Sequence, residues 1–187
     1  LEASMPEPPV YSGELYLEYH RGTLTNQHQI KRNNRKCEIA LHDLELLTVM
    51  RAVAQGIPAD GAAIHPLMQT LLVNQFHDIL PGTGIPRVNE EARRDVGETI
   101  AKAAKQTCGL LSGALPASEI SVTNTLSFDR SDVLSLAVPD GYMVAGGYVQ
   151  QRVTDVEGKP LLLVAGVTIP AMSTVCLSLI PGDPAKQ

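Results

Sequence analysis

The residues with chemical potential sit in one short string, NQFHDILPG, from Asn74 to Gly82. His77 and Asp78 are adjacent there, Asn74 precedes them by one helical turn, and Thr70 lies a turn further back. Residues three and four apart share a helix face. The spacing therefore predicts a polar strip of Thr70, Asn74, His77 and Asp78 on a helix whose other side, Leu72, Phe76 and Ile79, is apolar. Groups that are costly to bury, at the tail of a buried helix, require a reason. Two chemistries are open. A histidine near a helix C-terminus can hydrogen-bond the unpaired carbonyls and suits the negative end of the dipole. A neutral imidazole is also the commonest metal-binding side chain, and zinc takes about three or four protein ligands. The other ligands cannot be assembled from spacing: the chain has no HxxxH, HxH or HxD and no close cysteine pair. His20, His28, His42 and His65 are scattered over loops or exposed helical positions.

Three predicted helices position that string. The first runs from about Thr25 to Gln55, with Cys37, Ala40, Leu41, Leu44 and Leu47 as its stripe and Gly56 and Pro58 as its stop. The second opens at Pro66, where a missing N–H costs nothing. Leu67, Met68, Leu71, Leu72, Phe76 and Ile79 form its apolar face, and Pro81 and Gly82 end it. The third opens at Pro86, with Val88, Ala92, Val96, Ile100, Ala103 and Ala104 inward and Glu90, Arg94, Glu98, Lys102 and Lys105 outward. It fades between Gly109 and Pro116. Short connections between amphipathic helices argue for an antiparallel bundle.

After Pro116 the pattern changes to short runs rich in Val, Ile, Leu and Thr: EISVTN, DVLSLAVP, YVQQRVTD, KPLLLVAG and STVCLSLI, separated by turns such as DGY, GG and EGK. The fold class expected is α+β and multidomain: an antiparallel three-helix bundle followed by a small all-β, sandwich-like unit. The division is an irregular lead-in over 1–23, the helical unit over 24–115 and the β unit over 116–187. The tyrosine-rich run ELYLEYHRG reads as packing at the entrance to the helices.

Composition narrows the class. With 44% hydrophobic and 19% charged residues the chain is an ordinary globular protein rather than a disordered one. Net charge is −5 and the only basic block is KRNNRK, Lys31 to Lys36, so nucleic acid is not expected as a partner, and that block reads as a solvated helix face. No run approaches the ~20 apolar residues of a membrane span. Cys37, Cys108 and Cys176 are widely spaced and odd in number, which suits buried or half-buried thiols in a reducing compartment rather than a disulfide framework. The opening LEASMPEPPVYSGELY lacks an initiator methionine and reads as part of something longer or as a processed product.

Two long strings carry a family resemblance. Tyr11 to Leu47, containing ELYLEYHRGTLT, and Leu71 to Ala92, containing NQFHDILPG, resemble the middle region of the zinc-dependent α-mannosidases of glycoside hydrolase family 38, and most of all their cytosolic and bacterial branch. ISVTNTLSFDRSDVLSLAVP and VTIPAMSTVCLSLI resemble the opening of that family's C-terminal β region. The resemblance implies a retaining α-mannosidase acting on terminal α-linked mannose in mannosides and oligosaccharides, with Zn2+ as cofactor and a cytoplasmic location. By it His77 is a zinc ligand and Asp78 contacts the sugar hydroxyls. The nucleophile, the acid/base and the other zinc ligands belong to an N-terminal α/β domain that this chain lacks, so no catalytic residue is expected here and the chain alone should be inactive. The partners expected are that catalytic domain and the remaining C-terminal β region, with a homo-oligomer open and no membrane. Two rivals stand beside this. An all-helical HD phosphohydrolase would use His65, His77–Asp78 and Asp95. A non-catalytic scaffold would leave Asn74, His77 and Asp78 dispensable.

Overall fold

The computed structural model describes residues 9–15, 20–111 and 116–184. Among the described residues three helices come first, α1 (His28–Gln55), α2 (His65–Asn74) and α3 (Pro86–Leu111). Six strands follow: β1 (Glu119–Thr123), β2 (Leu134–Leu136), β3 (Tyr142–Val144), β4 (Val149–Thr154), β5 (Pro160–Ala165) and β6 (Thr174–Pro181). The fold is α+β, with the helices and the strands in separate stretches of sequence.

The start of α1 is later than the sequence pattern suggests because Gln27, just before it, holds a left-handed backbone, φ 49° and ψ 47°. The helix stops at Gly56, whose own left-handed φ of 65° lets the Ile57 N–H return to the Ala52 carbonyl at 3.0 Å. Ile30, Cys37, Leu41, Leu44, Leu47 and Ala52 are buried along α1. Cys37, Leu41 and Leu44 share a cluster with Ile64, Leu67, Leu71, Val96 and Ala103. Each leucine fully buried there contributes about 1.5–3 kcal/mol.

On α3 the charged residues Glu90, Arg94, Glu98, Lys102 and Lys105 are exposed, as their spacing predicts. The inward face is different from the expected one. Asn89 and Thr99 are buried beside Ala92, Val96 and Ala103, whereas Ala104 is exposed and Val88 and Ile100 are half-buried. Thr99 is tolerated inside because its hydroxyl donates to the Asp95 carbonyl of its own helix at 2.8 Å.

The larger departure is at α2, which ends at Asn74 instead of running on past Ile79. Asn74 is buried and its Nδ2 donates to the Thr70 carbonyl at 2.9 Å, the local bond that lets this residue type compete with a helical ladder. The Gln75 N–H is shared between the carbonyls of Leu71 (3.0 Å) and Leu72 (3.2 Å), and the Phe76 N–H reaches Val73 (3.2 Å). Such three-residue bonds tighten and close a last turn. Leu72 and Phe76, read from spacing as an inward face, are exposed, and Ile79 is half-buried.

The strands form two antiparallel three-stranded sheets, ordered β1-β6-β3 and β2-β5-β4. Ile120 pairs with Leu177, Met143 with Ile180, and Leu162 with both Leu136 and Arg152. β3 lies where the sequence reads as a turn, since three residues are too few for alternation to show. One apolar cluster draws on both sheets: Leu136, Leu162 and Val164 with Val144, Leu177 and Leu179. Gln150 of β4 joins the sheets, accepting from the Val144 N–H (2.8 Å) and donating to its carbonyl (2.7 Å). Asn124, fully buried, binds the carbonyls of Phe128, Ile169 and Pro170 and accepts the Leu126 N–H.

The cysteine expectation is corrected in part. Cys37 is buried, and burial, reinforced by Glu38, pushes its thiol up to about 11. Cys108 and Cys176 are exposed; Cys176 has the outward parity of β6, between inward Val175 and Leu177. Of the ELYLEYHRG run, Tyr16 to Tyr19 lie outside the described residues, and Leu15 and His20 at its ends are exposed. Among the described residues no helix is long and apolar enough to cross a membrane.

Candidate functional site

Because α2 stops early, His77 and Asp78 are not on a helix. The Phe76 carbonyl accepts from the N–H groups of Ile79 (2.9 Å) and Leu80 (3.0 Å), and the Gly82 N–H donates to Ile79 (2.9 Å). His77 and Asp78 are thus the two central residues of a turn from Phe76 to Ile79. Their side chains are 77% and 72% exposed, with His77 Nε2 3.6 Å from Asp78 Oδ2. The imidazole also meets the Phe76 ring, centroids 4.2 Å apart and planes tilted by 46°. A polar contact this exposed adds little to stability. The expected strip is therefore split: Asn74 is bound into α2, while His77 and Asp78 point to solvent. Nor does His77 need to cap α2, since backbone N–H groups already take the carbonyls of Leu71, Leu72 and Val73.

The other end of this turn is held tightly. Gly82 is buried with φ 75°. Its carbonyl accepts from Asn26 Nδ2 at 2.7 Å, and the Pro81 carbonyl accepts from Lys31 Nζ at 2.9 Å. Lys31 Nζ also donates to the Asn26 carbonyl. Gln27 Oε1 accepts from Arg93 Nη1 of α3 at 2.8 Å, and Asn89 Nδ2 reaches the Gly84 carbonyl at 3.2 Å. Desolvation holds the Lys31 ammonium below its ordinary value. The KRNNRK block is thus partly internal: Lys31 serves the turn, and Asn34 and Arg35 bind Glu38 at 2.8 and 3.0 Å. The sequence does not signal the grip of Asn26, Lys31 and Gln27, because their partners Gly82, Pro81 and Arg93 are 50 to 66 residues away.

The phosphohydrolase set does not assemble. His65 opens α2 and Asp95 is paired with Arg94 at 2.9 Å. Among the described residues no group of three or more His, Cys, Asp or Glu side chains is placed to hold a metal. A second His-Asp dipeptide, His42–Asp43, lies on α1. Asp43 Oδ1 accepts the Thr125 hydroxyl at 2.8 Å and lies 3.3 Å from His42 Nδ1, so it ties the helices to the strand region. It borders a cleft of about 640 Å³ lined also by Arg35, Glu38 and Arg130.

Residues 18–112 match the family model described as the alpha mannosidase middle domain. Alpha-mannosidase 2C1 of Homo sapiens is 38% identical over 150 residues, 75% of this chain and 14% of the relative. Alpha-mannosidase of Saccharomyces cerevisiae is 44% identical over 82 residues, 43% of this chain and 8% of the relative. The crystal structure of an alpha-mannosidase from Enterococcus faecalis V583 shares the fold, with a TM-score of 0.64 at 15% identity over 88% of this chain and 25% of that one. The chain thus corresponds to a small part, 14% or less, of the curated relatives it matches. It belongs to the alpha-mannosidase middle-domain family.

Proposed function

We propose that this chain is the part of a zinc-dependent retaining α-mannosidase that presents His77 as a zinc ligand and Asp78 as a substrate contact to a centre completed by another domain. The observation that carries this is an imidazole and a carboxylate, adjacent and exposed, on a turn whose hydrogen bonds use neither and whose one contact with them is the Phe76 ring on His77. The donor types suit zinc, which binds imidazole nitrogen and carboxylate oxygen. With no third donor nearby among the described residues, they amount to a share of a site. When bound, the metal would act as a Lewis acid toward sugar hydroxyls. His77 would hold it, its ring braced by Phe76; Asp78 would accept hydrogen bonds from the ring hydroxyls and so fix the sugar's orientation. Leu72, Val73 and Phe76, just ahead of the dipeptide in sequence, are exposed apolar side chains suited to burial against an α/β catalytic domain.

In this reading the helices form an antiparallel bundle, the sheets open a sandwich-like C-terminal β region, and the enzyme is cytoplasmic and hydrolyses terminal α-linked mannose. The two carboxyls of a retaining mechanism, about 5 Å apart, are supplied from outside this chain. Hydrolysis of an aryl α-mannoside tests it. The isolated chain is expected to show no turnover, and Asp78→Asn in the longer enzyme to lower kcat/KM by about 10²-fold or more. Turnover by the isolated chain, or a parental kcat/KM in the variant, would overturn the assignment.

A further inference from the structure

We propose that Asn26, Gln27, Lys31 and Arg93 are positioning residues for the metal-binding turn, gripping it at Pro81 and Gly82 so that His77 is held where a ligand must be. The proposal rests on the zinc reading of His77. Its basis is an asymmetry: the tip of the turn, His77 and Asp78, is solvent-exposed and anchors nothing, so its placement comes from the two ends. One end is the terminus of α2. The other is the grip. Asn26 and Lys31 donate to two successive carbonyls, those of Gly82 and Pro81, at 2.7 and 2.9 Å. Lys31 also donates to the Asn26 carbonyl, which locks the two donors to each other.

Gln27 completes it by contact. A Cβ on Gly82 would lie 2.6 Å from Gln27 Cβ and 2.8 Å from its Cγ, so the side chain rests directly on the glycine backbone. It is aimed there by a left-handed φ of 49°, a strained state for a non-glycine residue that persists only when surrounding contacts over-determine it. Arg93 supplies one such contact, donating to Gln27 Oε1 at 2.8 Å. The lead into α1 thus holds Gly82 directly, while Lys31 of α1 takes the neighbouring Pro81 carbonyl and Arg93 of α3 fixes Gln27 in place. A ligand on a loop tolerates displacements of only about 0.5 Å, which is why supporting groups of this kind matter to metal sites.

The test uses the longer enzyme with Asn26→Ala and Lys31→Met as independent variants, Lys31→Arg as the conservative exchange and His77→Ala as the control. Zinc retention is read by competition with a chelator, and amide hydrogen exchange over 76–84 is read in parallel. Both clamp variants are expected to weaken zinc retention by about 10–100-fold. They should also speed exchange at Ile79, Leu80 and Gly82 by about tenfold or more, with helix content unchanged, and Lys31→Arg should restore most of both. If His77→Ala loses zinc while both clamp variants hold it at parental strength, the positioning role is overturned and the zinc reading stands. Zinc retained by His77→Ala overturns the zinc reading, and the positioning role with it.

Discussion

Gly82 lies five positions after His77, and the fold treats the two ends of that turn in opposite ways. At the tip, His77 and Asp78 are exposed and contact each other and Phe76. At the foot, Gly82 has no side chain at all, yet its backbone is buried and held by Asn26 and covered by Gln27. The tip has chemistry that the fold does not use; the foot has geometry that no side chain could improve. Side chains released from structural duty are the ones available to a substrate or a metal, and the backbone beneath them must be fixed for that to be of use.

The contrast predicts a graded series of stability effects in this chain, each read from a urea midpoint. Gly82→Val should cost most, about 2–5 kcal/mol, because it forces a branched residue into a left-handed conformation and drives a Cβ into Gln27. A parental midpoint would mean that the foot is not gripped. Asn26→Ala should cost about 1 kcal/mol, the net worth of its bond to the Gly82 carbonyl. His77→Ala should fall within about 0.5 kcal/mol of the parent, as for an exposed residue outside any packed feature. Should His77→Ala cost more than Asn26→Ala, the tip would have a structural duty and the contrast would collapse.

Reading the sequence captured what periodicity can express. The alternating charges of α3 place its outer face correctly, and the leucine stripe of α1 marks the face that is buried. Periodicity does not show Asn89 and Thr99 as buried, because a polar side chain bonded locally resembles a surface residue in the sequence: the Thr99 hydroxyl is taken by its own helix and the Asn89 Nδ2 by the Gly84 carbonyl. The end of α2 escaped for the opposite reason: Phe76 and Ile79 continue the apolar spacing past Asn74, while the event that stops the helix is a set of backbone bonds. That one boundary is why spacing predicts a single polar strip from Thr70 to Asp78 on an otherwise buried helix. The string NQFHDILPG was legible as a whole through its family likeness, and so was the solvent exposure of His77, since the likeness places its partners on another domain; the turn that presents it was not. The grip beneath it was out of reach, since Asn26 and Gly82 meet only after folding. Gln150, bridging two sheets through Val144, is hidden in the same way.

The central claim is that His77 serves a metal whose remaining ligands lie on another domain. Zinc per chain in the purified longer enzyme, measured after dialysis with His77 intact and as His77→Ala, tests it most directly. The account predicts about one zinc per chain for the parent and far less for the variant, because losing one imidazole removes a bond of about 2.0–2.1 Å and the geometry it sets. Full zinc occupancy in the His77→Ala enzyme would contradict it.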